Sequence, residues 1–162
     1  MNFLEKDLED IIWESDNEKL QQKGFFIRGK KLRQLRIGNY GIADLVTYKK
    51  VSDVFEPPYL DITVYELKKE KAGISAFLQA LRYCKGISTY LDEYKPSIDY
   101  KLNIILCAKQ IDVESDFIFL TDLLYSNDYS VLNTLRNFSF TYGIDGIQFK
   151  IEKGYNLSNK GF

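Results

Sequence analysis

The chain has 162 residues, 45% of them hydrophobic and 15% aromatic, with three prolines and a net charge of -1. That is enough apolar surface for one core, and charged residues at 28% argue against long disorder, so a single domain over 1–162 is expected. It contains no histidine, which excludes a Ser-His-Asp triad, a His-assisted cysteine nucleophile and nearly all imidazole-built zinc sites. Catalysis, if there is any, must run on carboxylates, lysine, tyrosine or an oxygen-bound metal.

No run of about 18 uninterrupted apolar residues occurs, so no membrane span is expected. The start, "MNFLEKDLEDIIW", is acidic and amphipathic and fits neither a signal peptide nor a transit peptide. Cys84 and Cys107 fall in an expected helix and strand without a C-x-x-C spacing. They read as buried free thiols in a reducing, cytoplasmic compartment.

In chain order, Asn2 to about Ser15 reads as a helix with Leu4, Leu8, Ile11 and Ile12 on one face. Asn2 can cap it, with Glu5 at the third helical position. Charge is strongly segregated here. Residues 1–22 hold seven acids and two lysines, whereas 23–36, "KGFFIRGKKLRQLR", hold six basic residues and no acid. A band of Arg28, Lys30, Lys31, Arg33 and Arg36 suits a polyanion such as DNA. Equally, lysines and arginines guard a solvated strand edge against aggregation. "KKLRQLRI", the turn "GNYG" and "IADLVTYKK" form a hairpin. The longer loop "VSDVFEPPYLD" leads to the strand "ITVYELKK", followed by the helix "ISAFLQALRYCKGISTYLDEY". "KLNIILCAK" is a short buried strand, the best partner for "ITVYELKK" in a parallel β-α-β crossover. Of the tail, "DFIFLTDLL" suits either a strand or a short helix, "YSVLNTLRNFS" reads as a helix, and "IDGIQFKIEKGY" as a final edge strand. The expected order is α-β-β-β-α-β with a mixed tail, an α/β fold whose central mixed sheet is flanked by helices.

Alternation puts Ile62, Val64, Glu66 and Lys68 on one strand face, and Ile42, Asp44 and Val46 on another. Each face begins apolar and then sets a charge where the strand is still in the sheet. Half-burying carboxylates is unfavourable without a cation or hydrogen bonds. If the two strands are neighbours, Asp44 and Glu66 converge with Lys68 one step along. Two hard oxygen donors beside an ammonium suit magnesium. A strand running out into "KKEK" could instead simply become solvated. Gln79 and Tyr83, one turn apart on the following helix, can sit over the strand's end.

Taken together, "GIAD" (Gly41 to Asp44), "YELK" (Tyr65 to Lys68) and "QALRY" (Gln79 to Tyr83) resemble the PD-(D/E)XK nuclease superfamily. The last motif is similar to the Q-x-x-x-Y of the branch containing RecB-type nuclease domains. "EKDLEDII" resembles the E-x-x-L helix of EndoMS-type mismatch endonucleases, and "LNIILCAK" the strand after their Q-x-x-x-Y helix. The resemblance covers about residues 3–109 and leaves 110–162 unassigned. Ala43-Asp44 stands where the family has Pro-Asp, the loop before Glu66 is longer, and the separate DNA-binding domain of the EndoMS type is missing.

The resemblance implies a restriction-endonuclease-like core and magnesium-dependent hydrolysis of DNA, with manganese as a substitute. Asp44, Glu66 and the carbonyl of Leu67 would hold the metal. Lys68 would orient or deprotonate the attacking water, and Gln79 and Tyr83 would position the phosphate or brace Lys68. For the helix glutamate Glu5 is chosen, with Glu9 one turn further on. DNA is the expected partner, and a homodimer or a separate DNA-targeting protein are both open. A nuclease fold that binds without turnover is the alternative.

Overall fold

The computed structural model describes residues 3–113, 116–117 and 132–152. Helices α1 (Glu5–Glu14) and α2 (Asn17–Gln22) precede strands β1 (Lys30–Arg36), β2 (Ile42–Val51) and β3 (Tyr59–Leu67). A two-residue strand β4 (Lys71–Ala72) leads into the long helix α3 (Ile74–Tyr94), then β5 (Asp99–Ala108) and β6 (Gln110–Ile111). The hairpin of β7 (Leu132–Gly143) and β8 (Gly146–Glu152) follows. Six strands form one mixed sheet in the order β1-β2-β3-β5-β7-β8, and β4 pairs with β6 beside it. The contacts β1·β2, β2·β3 and β7·β8 are antiparallel, whereas β3·β5 and β5·β7 are parallel. The β3-α3-β5 crossover expected from the sequence is therefore present, because a parallel pair needs a long connection and α3 supplies it.

Helices cover both faces. On one, Val46, Val64, Ile104 and Leu106 meet Ala76, Phe77, Ala80 and Tyr83 of α3. On the other, Leu45, Tyr65, Leu67 and Ile105 meet Leu8 and Ile12 of α1, Leu20 of α2 and Phe25. Burial of each such large side chain contributes about 1.5–3 kcal/mol. Helix α3 carries its buried residues at helical spacing and is capped at Lys95, the residue before Pro96, whose ring disfavours a helical predecessor. Cys84 and Cys107 are free and buried. Burial alone pushes the Cys84 thiol up to about 12 and raises Cys107 too. No helix among the described residues is long and apolar enough to cross a membrane.

Two expectations need correction. First, α1 begins at Glu5 with Leu4 as its cap, and the Asp7 carboxylate accepts the Leu4 N–H at 2.7 Å. Asp7, not Glu5, thus fills the capping position; Asn2 lies outside the described residues. Second, the helix expected over "YSVLNTLRNFS" is, from Leu132 onward, strand β7. Leu132, Leu135 and Phe138 are spaced as on a helix, but β7 lies between β5 and β8 and is buried on both faces. A strand covered on both sides loses the period of two that would have identified it. The expected edge strand is found as β8. The "DFIFLTDLL" segment falls outside the described residues except at 116–117.

Candidate metal and phosphate site

Strands β2 and β3 pair with Leu45 opposite Tyr65, and that register continued by one residue sets Asp44 across from Glu66. The convergence expected from alternation depends on this antiparallel neighbourhood. Asp44 accepts the backbone N–H of Leu67 at 3.2 Å, closing the two strand ends together. Glu66 is fully buried. Its Oε1 accepts from Lys68 Nζ at 2.6 Å, while its Oε2 is buried without any hydrogen-bond partner. The Lys68 backbone is fixed by its N–H donating to the Cys107 carbonyl at 2.9 Å.

The charges follow from this packing. Burial is the main reason the Glu66 carboxyl is pushed up to about 7, with the neighbouring Asp44 charge adding to it and Lys68 opposing. Burial likewise raises Asp44, against the Leu67 amide and Lys68, which lower it. For Lys68, burial works against the ammonium, but the hydrogen bond and charge of Glu66 together with Glu5 and Asp44 outweigh it and raise its pKa. Lys68 is therefore a protonated cation at neutral pH.

Both helix glutamates bear on Asp44 through their charge, and Glu5 is the one bonded to the backbone just beyond Lys68. With the capping role taken by Asp7, its Oε2 accepts the Lys69 N–H at 3.3 Å, and its charge is felt by both Asp44 and Glu66. Glu9 is committed elsewhere: it is bonded by Arg33, which also pairs with Asp10, and accepts from the Gln34 amide at 2.9 Å.

Gln79 and Tyr83 lie on α3 and bond to each other, Gln79 Nε2 donating to the Tyr83 hydroxyl at 2.8 Å. Tyr83 is buried with its ring against the backbone of Gly41, where an added Cβ would stand 2.9 Å from the ring. Gly41 has φ 117°, so this position needs glycine for its conformation as well as for the close approach. Tyr83 thus packs on the residue just before β2, three residues ahead of Asp44, and Gln79 is the half-buried amide of the pair.

The basic band divides. Lys31 Nζ donates to the carbonyls of Ile12 at 2.9 Å, Trp13 at 3.0 Å and Ser15, capping the C-terminus of α1. Arg33 is consumed by Glu9 and Asp10. Arg28 lies 4.8 Å over the Phe26 ring, at the surface. Lys30 and Arg36 are exposed at the ends of β1, an edge strand of the sheet.

Two residues at the site were not anticipated. Gln34 has φ 49°, the one described non-glycine residue with positive φ. It falls between the pairs Arg33↔Leu45 and Leu35↔Ala43, and so lies across from Asp44. Nothing in a glutamine signals a left-handed backbone; the conformation is sustained by its bond to Glu9. Arg82 is exposed, stacks 5.7 Å from the Tyr83 ring and reaches toward Gly41. It stood inside "QALRY" and was readable there as a free cation.

Among the described residues no group of three or more His, Cys, Asp or Glu side chains is placed to hold a metal ion. No family model matches the chain, and no curated protein or solved structure matches it either.

Proposed function

We propose that this chain is a metal-dependent nuclease that hydrolyses DNA phosphodiester bonds, built on a PD-(D/E)XK core. The observation that carries the reading is Glu66 Oε2. A buried carboxylate oxygen without a partner, beside a second half-buried carboxylate, is unfavourable unless something cationic completes it. The element order α1-β1-β2-β3-α3-β5, with β3 and β5 parallel, agrees with the α-β-β-β-α-β core that the resemblance implies.

Two carboxylates fit magnesium, because this ion is commonly held by one or two carboxylates, keeps several waters and takes further oxygens from a phosphate substrate. A third protein carboxylate is not required. Asp44, Glu66 and the Leu67 carbonyl would hold magnesium or manganese, which when bound lowers the pKa of a water and offsets charge on the phosphoryl group. Lys68, held protonated, presents its ammonium to the phosphate oxygens as charge builds there. Its raised pKa speaks for this role and against that of a base. Glu5 ties α1 to the backbone just beyond Lys68. Tyr83 and Gln79 support the Gly41 turn that delivers Asp44, and exposed Arg82 adds a cation at that wall.

Incubating the protein with plasmid, single-stranded and duplex DNA, with magnesium, manganese or EDTA, tests the reading. Cleavage should require the metal and vanish in Asp44→Ala. Metal-independent DNA binding without cleavage would instead favour a nuclease fold that binds without turnover.

The divided basic band gives a separate expectation. Arg33→Ala strands a buried carboxylate and should destabilise the fold by about 1–3 kcal/mol, read as a lower melting temperature. Arg36→Ala should melt like wild type but reduce the slope of log affinity for DNA against log salt by about one. An unchanged slope would leave Arg36 as a guard of the β1 edge only.

A further inference from the structure

The loop between β2 and β3, residues 52–58, holds Val54 92% and Phe55 91% exposed. Two surface contacts restrict this tip. The Asp53 carboxylate accepts the Phe55 N–H at 3.4 Å, and Glu56 pairs with Lys101 at 3.3 Å. Pro57 and Pro58 then restrict the backbone leading into β3. The braced turn therefore holds a valine and a phenylalanine out in water, where apolar surface is unfavourable.

The same molecule carries an apolar groove of about 990 Å³ between β1–β3 and the second half of α3. Leu35, Tyr48, Leu60, Tyr90, Tyr94 and Ile98 are among its walls. Tyr90 and Tyr94 are 54% and 61% exposed, and their rings lie 5.2 Å apart. It is separate from the carboxylate site, which lies at the opposite end of β3. The loop and the groove share one end of the sheet. The loop leaves β2 at Val51 and enters β3 at Tyr59, which pairs with both Val51 and Asp99, and Tyr48, Leu60 and Ile98 flank those positions.

Charge matches as well. The projecting pair is flanked by Asp53 and by Glu56, the latter already paired with Lys101, and the groove by Arg36 and Lys95, with Glu93 its one acid. We propose that the groove is occupied by a second copy of this chain, whose Val54–Phe55 loop seats in it while its own groove receives the loop of the first. An apolar projection and an apolar groove close together on one surface can be satisfied at once by a two-fold axis, which makes the contact reciprocal and closed. The arrangement places aromatic residues at the centre and charges at the rim, as protein interfaces do.

Sedimentation equilibrium over a wide concentration range tests this with the full chain. Wild type should be a dimer that dissociates on dilution. Phe55→Asp and Tyr90→Asp should each weaken it by more than about tenfold, with a melting temperature equal to wild type at concentrations where both are monomeric, because both side chains face solvent in the single chain. Disulfide trapping gives the geometry: a mixture of Phe55→Cys and Tyr94→Cys proteins should form a mixed covalent dimer that neither variant forms efficiently alone. Cys84 and Cys107 are buried and will not compete. A chain monomeric at every concentration, or a dimer indifferent to both aspartates, would overturn the proposal. So would failure of the mixed disulfide, which would mean that the groove takes a different protein or a small apolar molecule.

Discussion

Lys68→Ala should lose about 100- to 10,000-fold in DNA cleavage rate while still binding magnesium. The reasoning is local. Lys68 contacts Glu66 Oε1 and leaves Oε2 for a cation, and an ammonium is not itself a metal ligand. Its positive charge must act on the substrate, and an alanine there removes that charge while leaving both metal-holding carboxylates in place. Removing it also strips Glu66 of its single hydrogen bond, so the metal-free variant should melt lower and gain more from magnesium than wild type does. Glu66→Ala should instead lose metal binding and cleavage together. Calorimetric magnesium titrations beside a plasmid-nicking assay distinguish the two patterns. A fully active Lys68→Ala protein would refute the mechanism, whatever the architecture.

Magnesium should raise the melting temperature, and the size of that rise should depend on pH with a definite sign. Glu66 is raised to about 7 from the ordinary 4.5, so between those values the folded chain binds a proton that the unfolded chain has released. The stability of the metal-free protein contributed by this group is complete below about pH 4.5 and falls as pH rises through about 7. At mildly acidic pH magnesium has to displace that proton; above neutrality it meets a buried carboxylate that Lys68 compensates at Oε1 alone. The magnesium-induced rise should therefore be small near pH 5.5 and large near pH 8, each about one to two units from the Glu66 titration. Glu66→Gln supplies a neutral side chain of the same shape. Without metal it should be more stable than wild type at about pH 8, and it should respond little to magnesium. Thermal melts across pH with and without magnesium read all of this. A rise of equal size at both pH values would separate the metal from Glu66.

Much of the candidate site was legible locally. Alternation in "ITVYELKK" aligned Glu66 with Ile62 and Val64, and the glycine of "GIAD" marked the turn before Asp44. Helix α3 was readable to its ends because its apolar residues recur at helical spacing and Pro96 follows. Strand pairing is also where the reading failed. Leu132, Leu135 and Phe138 suggest a helix, and only the place of β7 between β5 and β8 makes that segment a strand.

The sequence by itself determined the composition that forbids histidine chemistry, the β3-α3-β5 crossover and the local order of Asp44, Glu66 and Lys68. These depend on residue type and on periods of two or 3.6, which neighbouring residues carry without help from the rest of the chain. Tertiary structure decided which charges were spent and which left over. Arg33 and Lys31 look as available as Arg36 in the sequence, yet α1 packing near β1 gives them Glu9, Asp10 and the helix carbonyls. Glu5 and Glu9 are separated in the same way: one faces the backbone beyond Lys68, the other Arg33. The reason is physical. A charge takes its role from whatever lies within a few ångströms once water is excluded, and those neighbours come from residues 16 to 64 positions away.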